Sequence, residues 1–146
     1  MKRAANPVAN YGGELSIAFD RELVKDRVFA AVNLVYDPEV TLMPTGLSER
    51  DSTVALTTSV TTQVLPGTFV GAEARYLRTY KGLDLNSLAG QGLFLGPTTF
   101  VRLSKSFAIS GAWSVQVAGR PSDMPGSLDL TKLTRHQALL RVEYNF

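Results

Sequence analysis

His136 is the only histidine in this chain of 146 residues, and there is no cysteine. One imidazole and no thiol cannot build a His or Cys metal cluster, a disulfide framework or a cysteine nucleophile. A serine–histidine–carboxylate site would have to use His136, and the strand face around it offers no serine and carboxylate pair. The acids form no recognisable hydrolase pair and the glycines form no phosphate-binding pattern, so no catalytic residue, metal or cofactor is expected. The charged side chains that remain as candidates are Glu14, Asp20, Glu73, Arg75, Arg102, Arg135, Arg141 and Glu143. Their shared property is a position. Each falls on one register of an alternating strand, opposite a register that is mostly apolar.

The clearest of these strands is 135–146, reading RHQALLRVEYNF. Alternate residues from the end give Phe146, Tyr144, Val142, Leu140, Ala138 and His136; the other set is Asn145, Glu143, Arg141, Leu139, Gln137 and Arg135. This is the period of a two-faced strand. Six more segments alternate in the same way: 11–20, 27–36, 52–65, 68–80, 92–104 and 107–119. The segment 52–65 is rich in threonine and valine, a strand composition. Pro97 is the weak point of 92–104, because proline cannot donate to a ladder. Connections are expected at 21–26, at Pro66-Gly67 and at Lys105-Ser106, all short, and as longer loops at 37–51, 81–91 and 120–132. Residues 1–10 are expected as a segment or loop before the sheet, and 11–146 as one β domain.

Composition excludes several classes. Net charge is +2, too small to suggest a nucleic-acid partner, and no basic run interleaves with aromatics. Hydrophobic residues are 45% of the chain, yet no apolar run approaches the roughly 20 residues of a membrane-spanning helix. Met1-Lys2-Arg3 is followed by no apolar stretch of signal-peptide length, so the sequence as written carries no export signal.

The closing strand, with Leu140, Val142, Tyr144 and a terminal Phe146, resembles the last strand of bacterial outer-membrane β-barrels of the porin-like kind. In that family this segment is what the barrel-assembly machinery recognises. The resemblance implies an all-β, antiparallel up-and-down transmembrane barrel, or an open part of one, with about seven strands here. It implies an outer-membrane location in a Gram-negative bacterium, membrane lipid and the assembly machinery as partners, a transport or structural role with a small solute as possible cargo, and room for homo-oligomers. Two regularities agree with it. Short and long connections alternate, as periplasmic turns and external loops do. Aromatics of the apolar register gather near strand ends: Phe19, Phe107, Tyr144 and Phe146 at one rim, Tyr11, Tyr36, Tyr76 and Tyr80 at the other. Arg78 then reads as a rim residue reaching into headgroups.

On this reading the eight charged candidates face the lumen, either as a pore lining or as a salt-bridged filling of a narrow barrel. Seven is odd where bacterial barrels are even, which implies at least one strand upstream and a chain that is the carboxyl-terminal part of a barrel. Two alternatives belong to other classes. One is a soluble β-barrel that binds a small apolar ligand inside. The other is an outer-membrane lipid-modifying enzyme built on His136.

Overall fold

A computed structural model describes residues 9–121, 125–130 and 133–145. They form β1 (Ala9–Gly12), β2 (Leu15–Val24), β3 (Val28–Leu42), β4 (Ser48–Leu65), β5 (Thr68–Lys81), β6 (Ser87–Arg102), β7 (Phe107–Pro121) and β8 (His136–Tyr144). Every pairing is antiparallel, and from β3 onward each strand pairs with the next in sequence. β1 and β2 both pair with β3 and make two halves of one edge strand. The sheet is therefore seven strands wide. No helix is present among the described residues.

Pro38 explains the break in the edge strand. The gap between Gly12 and Leu15 lies opposite Pro38, which has no N–H to offer a neighbour, and a single Gly13 N–H to Pro38 carbonyl bond of 3.2 Å spans it. Glu14, expected on a strand, sits in this gap. Two expected loops are also corrected. Residues 37–42 and 48–51 continue β3 and β4, leaving a connection at 43–47, and β6 starts at Ser87, leaving 82–86. Their prolines, glycines and charges suggested loops. Cross-strand pairing through Glu39–Asp51 and Val40–Arg50 holds them extended instead. Of the three expected long connections, only the one between Pro121 and His136 keeps its length.

The sheet curls. Phe29 on β3 and Phe69 on β5 meet edge to face with centroids 5.6 Å apart, although β4 lies between them. In a flat sheet, strands two apart stand roughly 10 Å from each other. Gly96-Pro97 supplies part of the bend: the β6–β7 ladder skips both residues, and a Cβ on Gly96 would lie 1.8 Å from the Trp113 carbonyl oxygen. The result is a half-barrel with one concave and one convex face. β1/β2 and β8 are its edges, each paired on one side only.

Packing on the two faces is the reverse of a soluble domain's. Phe94 (0% exposed), Leu77, Ser114 and Gln116 are buried on the concave register. Many large apolar residues of the convex register are exposed: Leu140 at 73%, Phe19 at 70% and Trp113 at 50%, with Ile17, Leu56, Val60, Val64 and Val142 among the rest. β4 shows the pattern residue by residue. Thr57, Ser59, Thr61 and Gln63 are half-buried, while Leu56, Val60 and Val64 between them are open.

Candidate functional site

The concave face gathers polar groups from six strands into one open groove. Asn33 (β3), Thr57 (β4), Glu73 and Arg75 (β5), Thr98 (β6), Ser110 (β7) and Arg141 (β8) all line it. Register places them there: Asn33 pairs with Thr57, Thr57 with Arg75, and Ser59 with Glu73. Arg75 Nη2 donates to Glu73 Oε1 at 2.8 Å, and the pair is only partly exposed. Asn33 Oδ1 is buried without a hydrogen-bond partner among the described residues. Such a wall offers a passing or bound solute two guanidinium groups, a carboxylate, an amide and hydroxyls. Among the described residues, no group of three or more histidines, cysteines or acids is placed to hold a metal ion.

Sequence reasoning put eight charged residues on this face, and the structure distributes them. Glu73, Arg75 and Arg141 come together in the groove. Asp20 lies on the same row as Ser59 and Glu73, through Ala31, but nearer the edge and exposed. Glu143 pairs with Ala108, and Arg102 ends β6 with its guanidinium 5.9 Å from the Phe100 ring centre. Arg135 precedes β8, and its carbonyl accepts the Gln116 N–H at 2.8 Å. Glu14 is in the edge break. The pairing register adds Glu22, Asp37, Glu39, Glu49, Asp51 and Lys81 to the concave set, which the expected loops and turn had hidden.

At the upper end, where the longer connections lie, residues 125–130 fold against the concave face. Buried Gln116 holds them. Its Nε2 donates to the Asp129 carbonyl at 3.0 Å, and its Oε1 accepts the Asp129 N–H at 2.5 Å. The Asp129 side chain is fully buried against Gly90, where any Cβ would collide with a carboxylate oxygen. A long amide standing among the small residues Ala112, Ser114 and Gly119 was the available signal for this contact.

The convex aromatics divide into two groups. Tyr11, Phe19, Tyr76 and Tyr144 are exposed, and Phe107 is half-buried opposite Tyr144. Tyr80 is not open as expected but 8% exposed, because the turn at 82–86 folds over this end. That turn is tied down by Ser52 Oγ donating to the Gly82 carbonyl at 2.7 Å and by the Tyr36 hydroxyl donating to the Leu83 carbonyl at 2.8 Å. His136 stacks on Trp113, centroids 5.7 Å and planes 5° apart, on the convex side. Leu140 and Val142 are exposed further along β8, and Phe146 lies outside the described residues.

A family model described as "Family of unknown function (DUF6662)" matches residues 6–146. The chain belongs to that family. The match takes in all eight strands. No curated protein and no solved structure matches the chain.

Proposed function

We propose that this DUF6662 chain is an outer-membrane β-barrel protein of porin-like type, in which the convex face meets lipid and the concave groove forms part of a water-filled wall. The observation that carries the reading is the inverted distribution of side chains. A soluble domain of this length would bury its large apolar residues in a core. Here the buried apolar side chains among the described residues are few, Leu77, Tyr80, Ala89 and Phe94, while much of the convex band is open. Transmembrane barrels put apolar residues outward and polar residues inward on alternating strands. From Phe107 to Ala118 the convex band on β7 covers eleven steps, about 25 Å of height at a 45° tilt, the thickness such a band needs.

A soluble binder of an apolar ligand would need the opposite arrangement, an apolar concave face, and the groove lined by Asn33, Glu73, Arg75 and Arg141 counts against it. A lipid-modifying role for His136 has no support from its surroundings, since its ring is stacked on Trp113. Two unpaired sheet edges in lipid would leave backbone groups unsatisfied at several kcal/mol each. On this reading, further strands pair with β1/β2 and β8 in the membrane. Because the sheet is seven strands wide, its two edge strands run the same way, and an all-antiparallel closure takes an odd number of added strands.

Trp113 tests the reading, being the only tryptophan and on the convex register. In vesicles its emission should be quenched strongly by lipids with brominated acyl chains and weakly by aqueous acrylamide. Strong acrylamide quenching with no effect of brominated lipid would contradict the proposal.

A further inference from the structure

The convex strand register has a charge pattern of its own. Among the described residues its ionic side chains are arginines only: Arg21 near the short-turn end, and Arg50, Arg78 and Arg120 near the other end. No aspartate or glutamate shares the register, although the concave register holds Asp20, Glu22, Asp37, Glu39, Glu49 and Asp51. Two of the arginines are neighbours. Arg78 pairs with Gln91 and Gln91 with Arg120, so the three form one cross-strand row over β5, β6 and β7. Arg78 and Arg120 thus stand two strand spacings apart, roughly 10 Å.

The row is organised for an anion. The Tyr76 hydroxyl donates to Gln91 Oε1 at 2.6 Å, so the donor capacity of the Gln91 amide is not spent on that contact. Arg78 lies 5.6 Å from the Tyr80 ring centre, and its Nε is buried without a hydrogen-bond partner among the described residues. Immediately below the row begins the apolar band, with Leu93, Leu95 and Trp113 exposed or half-exposed. A ligand that fits has a phosphate for the three donors and hydrocarbon for the band beneath. Arginine binds phosphate in paired, charge-assisted hydrogen bonds, and no carboxylate on this face opposes it.

We infer that Arg78, Gln91 and Arg120 form a binding site for the phosphate of an anionic lipid, whose acyl chains lie along β6 and β7. The inference rests on the membrane reading above and adds a named ligand class and site to it. Such a lipid fixes the vertical position of the sheet, since the phosphate level and the upper limit of the apolar band coincide at this row.

Trp113 lies on β7 seven residues below Arg120, where the chains of a bound lipid would pass. The protein is inserted into phosphatidylcholine vesicles holding a small fraction of phosphatidic acid with brominated chains. Trp113 quenching is compared with that from the same fraction of brominated phosphatidylcholine. Phosphatidic acid should associate more strongly, by roughly fivefold for each arginine engaged. R78Q/R120Q should remove the preference, and R102Q, on the concave register, should keep it. Quenching in fully brominated phosphatidylcholine reports whether each variant is inserted; if the double variant is not, the exposed single change R120Q carries the comparison. Equal quenching by the two lipids in the unaltered protein overturns the inference and leaves the membrane reading standing. Loss of the preference on adding millimolar inorganic phosphate overturns the lipid assignment in favour of a free-phosphate site. No quenching by any brominated lipid overturns the membrane reading and this site with it.

Discussion

Arg75 holds Glu73 at 2.8 Å with one arm of its guanidinium and Gln137 at 3.3 Å with the other, although Gln137 is on β8 and Arg75 on β5. One side chain therefore ties the middle of the sheet to its last strand across β6 and β7. This is possible only because the concave face is curled.

The two arms should differ in energy. Arg75→Ala leaves Glu73, whose side chain is 15% exposed, without its partner and should cost about 1–3 kcal/mol. Gln137→Ala removes only a long neutral-acceptor bond and should cost less than about 1 kcal/mol. Denaturant titration of both single variants and the double variant gives the coupling. Additivity would mean that the Arg75–Gln137 contact carries no energy.

Gln116 makes a separate prediction. Gln116→Ala removes both bonds to the Asp129 backbone from a site where the side chain is 3% exposed. The segment 125–130 should detach, at a cost of about 1–3 kcal/mol. Amide exchange at Asp129, and at Gly119, which donates to the Ser127 carbonyl at 2.9 Å, should accelerate while β4 and β5 keep their protection. Uniform acceleration across the sheet would show Gln116 to be a global support rather than a local clasp.

These two residues also mark how far the sequence could be read. The alternation in 52–65 and 107–119, the Pro66-Gly67 turn and the two-faced closing strand were legible because each is a local signal, a period of two in the strands and residue type in the turn. Arg75 and Glu73 were legible as inward charges on β5, but their partner Gln137 was not, since curl is a property of the whole sheet. The extensions of β3 and β4 were hidden by Pro38 and by acids that mark loops in isolated segments. In the structure Pro38 sits where the edge strand breaks, so its missing N–H is not needed there. Tyr80 was placed on the correct register, and only the fold of the turn at 82–86 covers it. The arginine row on the convex face needed the β6–β7 register, which shifts between Leu93 and Phe94 and so cannot be counted from sequence.

The turn at 82–86 carries a pH prediction. The Asn86 side chain donates to Asp84 Oδ2 at 2.9 Å and, with backbone N–H groups, holds the Asp84 carboxyl below the usual aspartate range. A depressed folded-state value stabilises above the ordinary aspartate pKa, and the contribution is lost as pH falls through the folded value. An NMR titration should give Asp84 a low midpoint that rises in Asn86→Ala. No movement of the midpoint would remove Asn86 as the main cause.

At the closing strand, Tyr144 pairs with Phe107 at the short-turn rim and is 59% exposed. If β8 is read by the barrel-assembly machinery, Tyr144→Ala and deletion of Phe146 should lower the amount reaching the outer membrane in cells. Refolding of the purified protein into vesicles should change little. Normal outer-membrane levels for both variants would make β8 an ordinary strand end.

The central claim is that the convex register faces lipid, and neighbouring residues on β4 test it most directly. Val60 is convex and 51% exposed; Ser59 is concave, half-buried and paired with Glu73. Unfolding free energies from lipid vesicles are measured for Val60→Arg and Ser59→Arg. The account predicts a loss of about 2–4 kcal/mol for Val60→Arg near the bilayer midplane and a much smaller one for Ser59→Arg, whose charge lands beside a carboxylate. Equal losses, or the larger loss at Ser59, would contradict it.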